Sequence, residues 1–280
     1  MNNLLHQSHV LQVKGRLWSL EHPQIMGILN VTDDSFYAAS RISADQWVER
    51  ASKMIESGAA VLDIGGQSTR PGSERIGCEE ELDRVLPCVA AISDAYPDAL
   101  ISIDTYYGKV ATAAVQAGAC MINDISAGQL DPTMWTAAAQ CQVPYVLMHM
   151  QGEPGHMQLQ PHYDHITQEV FRFLSEKIAA LRGLGVKDIL IDPGFGFGKK
   201  MEHNYQLMRE LAVFKALDAP LMVGVSRKKM IQNLTGTDAN HALNGTTAMH
   251  MMALMNGANV LRVHDVQEAA EAIKVFEAVI

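Results

Sequence analysis

Leu100-Ile101-Ser102-Ile103-Asp104 is a short apolar run that stops at a carboxylate, and the chain repeats that design from end to end. Residues 25–29 run into Asn30, residues 59–62 into Asp63, residues 120–122 into Asn123 and Asp124, and residues 145–148 into His149. Residues 189–191 then lead to Asp192, residues 221–225 to Ser226, Arg227 and Lys228, and residues 260–263 to His264. Such apolar runs are what strands buried on both faces require. Strands with chemically capable tips, repeated this way, predict an α/β fold, a single-domain (β/α)8 barrel, because there the carboxyl ends of all strands meet at one mouth. The polar tips are then expected to share one site.

The segments between these runs have helical period. Trp47, Val48, Ala51, Met54 and Ile55 fall on one helical face, with Ser43 and Gln46 spaced as a capping box and Gly58 as the stop. Ile166, Val170, Leu174, Ile178 and Leu181 form a second stripe, ended by Gly183 and Gly185. Asp131 and Pro132 read as an N-cap and first helical residue, while Gly118 and Gly257 end two further helices. Strand and helix alternating through short Gly-bearing connections is the βαβ signature of a parallel sheet. An open doubly wound sheet is the competitor, but it would concentrate function at one switch point rather than at every tip. Residues 1–22 read as an N-terminal arm or hairpin over the barrel floor, and residues 23–280 as the barrel domain.

A hydrophobic fraction of 48% with 19% charged residues is ordinary for a globular chain of 280 residues. The net charge of -9 argues against nucleic-acid or anionic-membrane partners, so any anion site must be local. Cys78, Cys88, Cys120 and Cys141 lack paired spacing, which fits reduced thiols in a cytoplasmic protein. No run approaches the roughly 18 residues of a membrane span.

Asp192-Pro193-Gly194-Phe195-Gly196-Phe197-Gly198-Lys199 places a strand-end carboxylate before a turn rich in glycine, which implies close approach by backbone or ligand. The plainer alternative is an Asp that caps the next helix. Gly65-Gly66-Gln67-Ser68-Thr69-Arg70-Pro71-Gly72 can wrap a phosphate through its N–H groups while Arg70 supplies a bidentate fork; a solvated turn is the alternative. Arg227, Lys228 and Lys229, with Arg262 and His264, add cations where barrels often hold phosphate. Asp104, Asn123 and Asp192 are candidates for gripping a heterocycle, since buried unpaired acids are costly and need Lys228, one another or a ligand. His149 either lines the mouth or holds a loop. His156, His162, His165, His203, His241 and His250 lack ligand spacing and receive no role. The methionines of residues 249–255 read as core filler or an oligomer face.

Met26-Gly27-Ile28-Leu29-Asn30-Val31-Thr32 with Asp34-Ser35-Phe36, then GGQSTRPG, SIDT, INDI, LMHMQG, DPGFGFGK, VGVSRK and LRVHDV, resemble the dihydropteroate synthase family in the same order. The resemblance covers the chain from about His22 to the last helix. It implies a barrel transferase of folate synthesis that joins 6-hydroxymethyl-7,8-dihydropterin diphosphate to 4-aminobenzoate, releases diphosphate, uses magnesium and pairs as a homodimer. Carried over by residue, Asp104, Asn123, Asp192 and Lys228 match the pterin-binding groups. Asn30 matches the magnesium and diphosphate contact, and Arg70, Arg262 and His264 match the anion-binding residues. Thr69, Pro71, Phe197 and Ser226 match positions around the aminobenzoate. Asp34 is the first-loop carboxylate expected to serve catalysis with Arg70, Lys228, Arg262 and His264.

Two departures stand out. Asp33 replaces the family's proline and Ala38-Ala39-Ser40 stands where an Asp-Gly-Gly turn is common, so the first loop lacks its usual second carboxylate. Lys229 occupies a position where serine is frequent, which alters the aminobenzoate rim and the response to sulfonamides. Two alternatives share the pterin-binding barrel: a methyltetrahydrofolate-dependent methyltransferase, which needs no diphosphate-binding cations, and a non-catalytic pterin-binding relative. Only the synthase would release diphosphate.

Overall fold

A computed structural model describes residues 8–31, 44–67, 75–153, 157 and 161–280. Asp33, Asp34, Phe36, residues 38–40, Ser43, Thr69, Arg70, Pro71 and His156 lie outside the described residues, and so do the expectations placed on them.

Two short antiparallel strands, β1 (Val10–Val13) and β2 (Arg16–Ser19), form a hairpin that turns at Lys14 and Gly15, both with positive φ. The eight-stranded sheet follows: β3 (Gln24–Asn30), β4 (Val61–Gly65), β5 (Leu100–Asp104), β6 (Met121–Asp124), β7 (Tyr145–Met148), β8 (Ile189–Asp192), β9 (Met222–Val223) and β10 (Val260–Val263). Every pairing in it is parallel, in the order β8-β7-β6-β5-β4-β3-β10-β9. A parallel bridge between Ile191 and Leu221 joins the two ends, with the Ile191 amide donating to the Pro220 carbonyl at 2.9 Å. The sheet is thus a closed barrel, and the open-sheet competitor is excluded.

Successive side chains of a strand point to opposite faces, and here the two faces differ in chemistry. Outward residues such as Leu62, Ile64, Ile101, Ile103, Leu147 and Ile191 join the main core against the helices. Inward residues at the strand starts, among them Met26, Val61, Leu100, Met121, Val146 and Val260, form a separate apolar cluster, and Leu11, Val13 and Leu20 of the hairpin segment pack onto it. The hairpin therefore stoppers the floor. Two residues further along, the inward positions of five strands turn polar, with Asp63, Ser102, Asn123, Asp192 and Arg262. Asp63 is consequently not the strand tip that the apolar run suggested; β4 continues to Gly65, and Asp63 sits mid-strand, fully buried.

The helices return outside the barrel: α1 (Ala44–Glu56), α2 (Cys78–Ala95), α3 (Gly108–Gln116), α4 (Met134–Cys141), α5 (Ile166–Gly183), α6 (Met201–Arg209), α7 (Lys229–Thr235), α8 (Leu243–Met255) and α9 (Val266–Val279). Gly58, Gly118 and Gly257 follow helix ends as expected. Gly183 proves to be the last helical residue of α5, and Gly185 is the one with positive φ. Asp131 is a different cap from the one expected. α4 starts at Met134, and the Asp131 carboxylate accepts from the Thr133 amide at 2.9 Å and from the Gly108 amide of α3 at 2.7 Å. It caps the neighbouring helix because the start of α3 lies beside that loop.

Candidate active site

The deepest polar layer is built around Arg262 of β10. Its Nε donates to Asp63 at 2.6 Å and one terminal nitrogen donates to Asp104 at 2.5 Å. The Asn123 amide nitrogen donates to the same Asp63 oxygen at 2.9 Å. Burial opposes the charge on Arg262, yet the carboxylates of Asp63 and Asp104 raise its pKa above the usual arginine range. Burial pushes the Asp104 carboxyl up, against the pull of Arg262. Arg262 was matched to diphosphate binding; two of its nitrogens are engaged by acids at the heterocycle end of the site. Asp124, next to Asn123, faces outward and is fully used: it accepts from the Ser126 amide and hydroxyl at 2.7 Å each, the Gly128 amide at 2.6 Å and the Tyr145 hydroxyl at 2.6 Å.

Asp192 ends β8 and accepts from the Gly194 amide at 2.7 Å, so it organises its own turn and does not cap α6, which begins at Met201. Gly194 has φ +71, and a Cβ there would collide with the His149 carbonyl, so only glycine fits. Lys199, buried at 3% exposure, holds this turn from beneath: Nζ donates to the carbonyls of Gly194 at 2.8 Å, Phe197 at 3.0 Å and His149 at 3.2 Å, and lies 2.9 Å from His149 Nδ1. Burial, then the Lys199 ammonium, hold the His149 imidazole well below its usual pKa. His149 is therefore a loop-holding neutral histidine, packed edge-on against Phe173 at 4.9 Å.

Lys228 reaches back into the same space. Its Nζ donates to the Phe195 carbonyl at 2.6 Å and lies 4.7 Å from the Phe197 ring centre. A Cβ placed on Gly224 would lie 3.9 Å from both Asp192 Oδ2 and Lys228 Nζ and 3.8 Å from Arg262 Cβ. Asp192, Lys228 and Arg262 therefore converge over one glycine. Burial brings the Lys228 ammonium down to about 8, opposed by Asp192 and helped by Arg262. Burial raises the Asp192 carboxyl, opposed by Lys228.

At the rim, the Ser226 hydroxyl accepts from the His264 amide at 3.2 Å and lies 3.0 Å from His264 Nδ1. Partial desolvation at the rim, then the charge of Arg262, with Asp265 opposing, lowers the His264 pKa below the usual histidine range. Asn30 closes β3 beside Gly65. Arg227 is withdrawn from the cation set expected of it. It is bidentate to Asp265 at 2.8 and 2.7 Å and donates to the Ala239 carbonyl at 2.7 Å, which leaves it a structural clamp. Lys229 is exposed as the first residue of α7. A separate cleft of about 360 Å3 at the floor end, lined by Ile55, Ala60, Tyr96, Pro97 and Leu100, gathers none of these groups.

Comparison with known proteins places this chain in a family. A family model described as pterin binding enzyme matches residues 26–264. The dihydropteroate synthase of Escherichia coli (strain K12) is 44% identical over 271 residues, which covers 96% of this chain and 95% of that protein. The chain belongs to the dihydropteroate synthase family. Among solved dihydropteroate synthases, that of Yersinia pestis in a sulfonamide drug complex superposes with a TM-score of 0.91 at 42% identity, covering 97% of this chain and 99% of that one. The Xanthomonas albilineans dihydropteroate synthase with 4-aminobenzoic acid gives 0.89 at 42% identity, covering 98% of each chain. Family membership removes the methyltransferase alternative. Asp63, one of the polar tips expected to share the site, was given no role of its own there, and Lys199 was not among the tips.

Proposed function

We infer that this barrel condenses 6-hydroxymethyl-7,8-dihydropterin diphosphate with 4-aminobenzoate to give 7,8-dihydropteroate and diphosphate, the transferase step of folate biosynthesis. The observation that supports this most is the convergence of Asp192, Lys228 and Arg262 over Gly224, beside Asp104 and Asn123. Buried acceptors at one end of the mouth suit a ring N–H and an exocyclic amine, and cations beside them suit a departing diphosphate.

In this reading Asp104, Asn123 and Asp192 grip the pterin, and Lys228 lies over it against Phe197. Arg262, His264 and Arg70 meet charge that develops as the carbon–oxygen bond to diphosphate breaks. Diphosphate leaves with the electron pair of that bond, the barely basic aryl amine attacks the methylene carbon, and the proton then shed by its nitrogen passes to the released diphosphate or to water, so no strong base is needed. Ser226, Phe197, Thr69 and Pro71 shape the aminobenzoate end, and Asp34 acts from the first loop. Excluding water protects the electrophilic carbon.

Magnesium fits a site of this donor type. Among the described residues no cluster of three or more His, Cys, Asp or Glu side chains could hold a metal, and Mg2+ characteristically uses one or two protein oxygens plus waters and substrate phosphates. The Asn30 carbonyl oxygen at the mouth would be its protein contact, and the ion would supply charge neutralisation to the diphosphate.

A homodimer belongs to the same reading, supported by exposed Met252 and Met255 on α8 and exposed Val275 and Val279 on the adjoining α9. So does the division into an arm of residues 1–22 and a barrel of 23–280. A cytoplasmic location is supported by the four free cysteines; no helix of the described residues is long and apolar enough to cross a membrane. Diphosphate release measured with and without 4-aminobenzoate tests the function: release that depends on both substrates is expected, and its absence refutes the reading.

A further inference from the structure

Asp63 touches no surface. It is fully buried one inward layer below Asp104, because β4 pairs Asp63 with Ser102 and Gly65 with Asp104. A residue at that depth acts on a ligand only through its neighbours. Those neighbours are two groups already placed in the site: the Asp63 Oδ2 accepts from Arg262 Nε at 2.6 Å and from Asn123 Nδ2 at 2.9 Å.

The chemistry of that contact decides which way the Asn123 amide faces. A carboxylate beside a guanidinium offers only acceptor oxygens, so it is satisfied by the amide nitrogen and rejects the amide carbonyl. With its nitrogen held on the Asp63 side, Asn123 keeps one further N–H there and turns its carbonyl oxygen away from Asp63, toward a ligand. The Asp192 and Asp104 carboxylates are acceptors too, so the three strand ends offer acceptors to the ring and favour an edge made of donors. An amide free to flip would offer a donor half of the time and meet the ring N–H groups with like polarity, an arrangement that buried polar groups penalise strongly.

We propose that Asp63 is a positioning residue that fixes the Asn123 amide with its carbonyl oxygen toward the heterocycle, and thereby sets the site's preference for donor-edged pterins. The inference rests on the synthase reading above. It separates from it because wild-type diphosphate release tests that reading alone.

The test is a double-mutant cycle read in the two Michaelis constants. Asp63→Asn supplies an acceptor and a donor where only acceptors stood, so either amide orientation can be satisfied. The KM for dihydropterin diphosphate is expected to rise about tenfold, with that for 4-aminobenzoate within twofold of wild type. Asn123→Ala is expected to raise the pterin KM by a similar factor. In Asp63→Asn/Asn123→Ala the two increases do not multiply, because the amide that Asp63 orients is gone. A pterin KM unchanged in Asp63→Asn, or increases that multiply in the double variant, overturns the proposal while leaving the function intact.

A measurement on the unaltered protein stands apart from any folding defect in the variants. In 15N-labelled wild type, the Asn123 side-chain NH2 is expected to be protected from solvent exchange before pterin is added and to remain so afterwards. Rapid exchange of that NH2 in the ligand-free enzyme would overturn the proposal.

Discussion

Lys228 offers the sharpest pH test. Burial takes its ammonium from the ordinary 10.5 to about 8, with Asp192 opposing and Arg262 assisting. At 1.36 kcal/mol per tenfold change, that is a penalty on the charged form of about 3 kcal/mol. If the protonated ammonium is what receives the pterin diphosphate, about nine tenths of the free enzyme is competent at pH 7 and about one tenth at pH 9. kcat/KM for dihydropterin diphosphate should therefore fall about tenfold between pH 7 and pH 9 at saturating 4-aminobenzoate, followed by diphosphate release. Lys228→Arg keeps its charge throughout this range and should flatten the limb from a lower starting rate, since a planar fork does not replace a point charge. Folding stability responds with the opposite sign. Below pH 8 both folded and unfolded chains hold the proton and the whole penalty applies. Between pH 8 and 10.5 the unfolded chain alone keeps it, so the Lys228 contribution becomes less unfavourable as pH rises through that window. A wild-type profile flat to pH 9.5, or an unchanged alkaline limb in Lys228→Arg, would refute this reasoning.

Arg262→Lys retains a charge between Asp63 and Asp104 but loses the fork, so turnover should drop about a hundredfold with a modest loss of thermal stability; near-normal turnover would contradict the role given to Arg262. Asp124→Ala removes the acceptor for four donors, one of them the buried Tyr145 hydroxyl, and should cost about 2–4 kcal/mol in urea unfolding. A cost within 0.5 kcal/mol, typical of surface changes, would show that the loop finds other partners. Lys229→Ser removes an exposed cation at the start of α7. The carboxylate of 4-aminobenzoate should lose more than a sulfonamide, so sulfonamide inhibition strengthens about threefold to tenfold relative to the aminobenzoate KM. Equal or weaker relative inhibition counts against that placement.

The strand ends were legible because burial on both faces leaves few polar residues in these runs, and each lay near the mouth. Asp104, Asn123, Asp192 and Lys228 were readable for that reason. Asp63 was misread because Val61-Leu62-Asp63-Ile64-Gly65 is uniformly buried, so alternation between barrel interior and helix layer leaves no hydropathy signal. The pairing of Arg262 with Asp63 spans 199 positions and exists only once the barrel closes. Arg227 and Lys228 are adjacent with equal charge, yet Arg227 takes positive φ at 55° and turns its guanidinium to Asp265. Nothing in the string Ser226-Arg227-Lys228 distinguishes them. Lys199 escaped notice because a lysine with three carbonyl partners is recognisable only after the glycine turn has folded around it.

The barrel wall is not equally strong around its girth. β9 contributes two residues, and a bridge from Leu221 to Ile191 joins it to β8, whereas β3 and β4 are aligned over five successive positions. The staves on either side of this seam lead directly to Asp192 and to Lys228. Opening there needs fewer backbone hydrogen bonds to break than opening elsewhere, and it would part the acid from the ammonium before disturbing the far wall. The amide proton of Ile191, which donates across the seam to Pro220, should therefore exchange with deuterium sooner than those of Ile28 or Ile64, and breathing of the hoop is felt first where the heterocycle would lie.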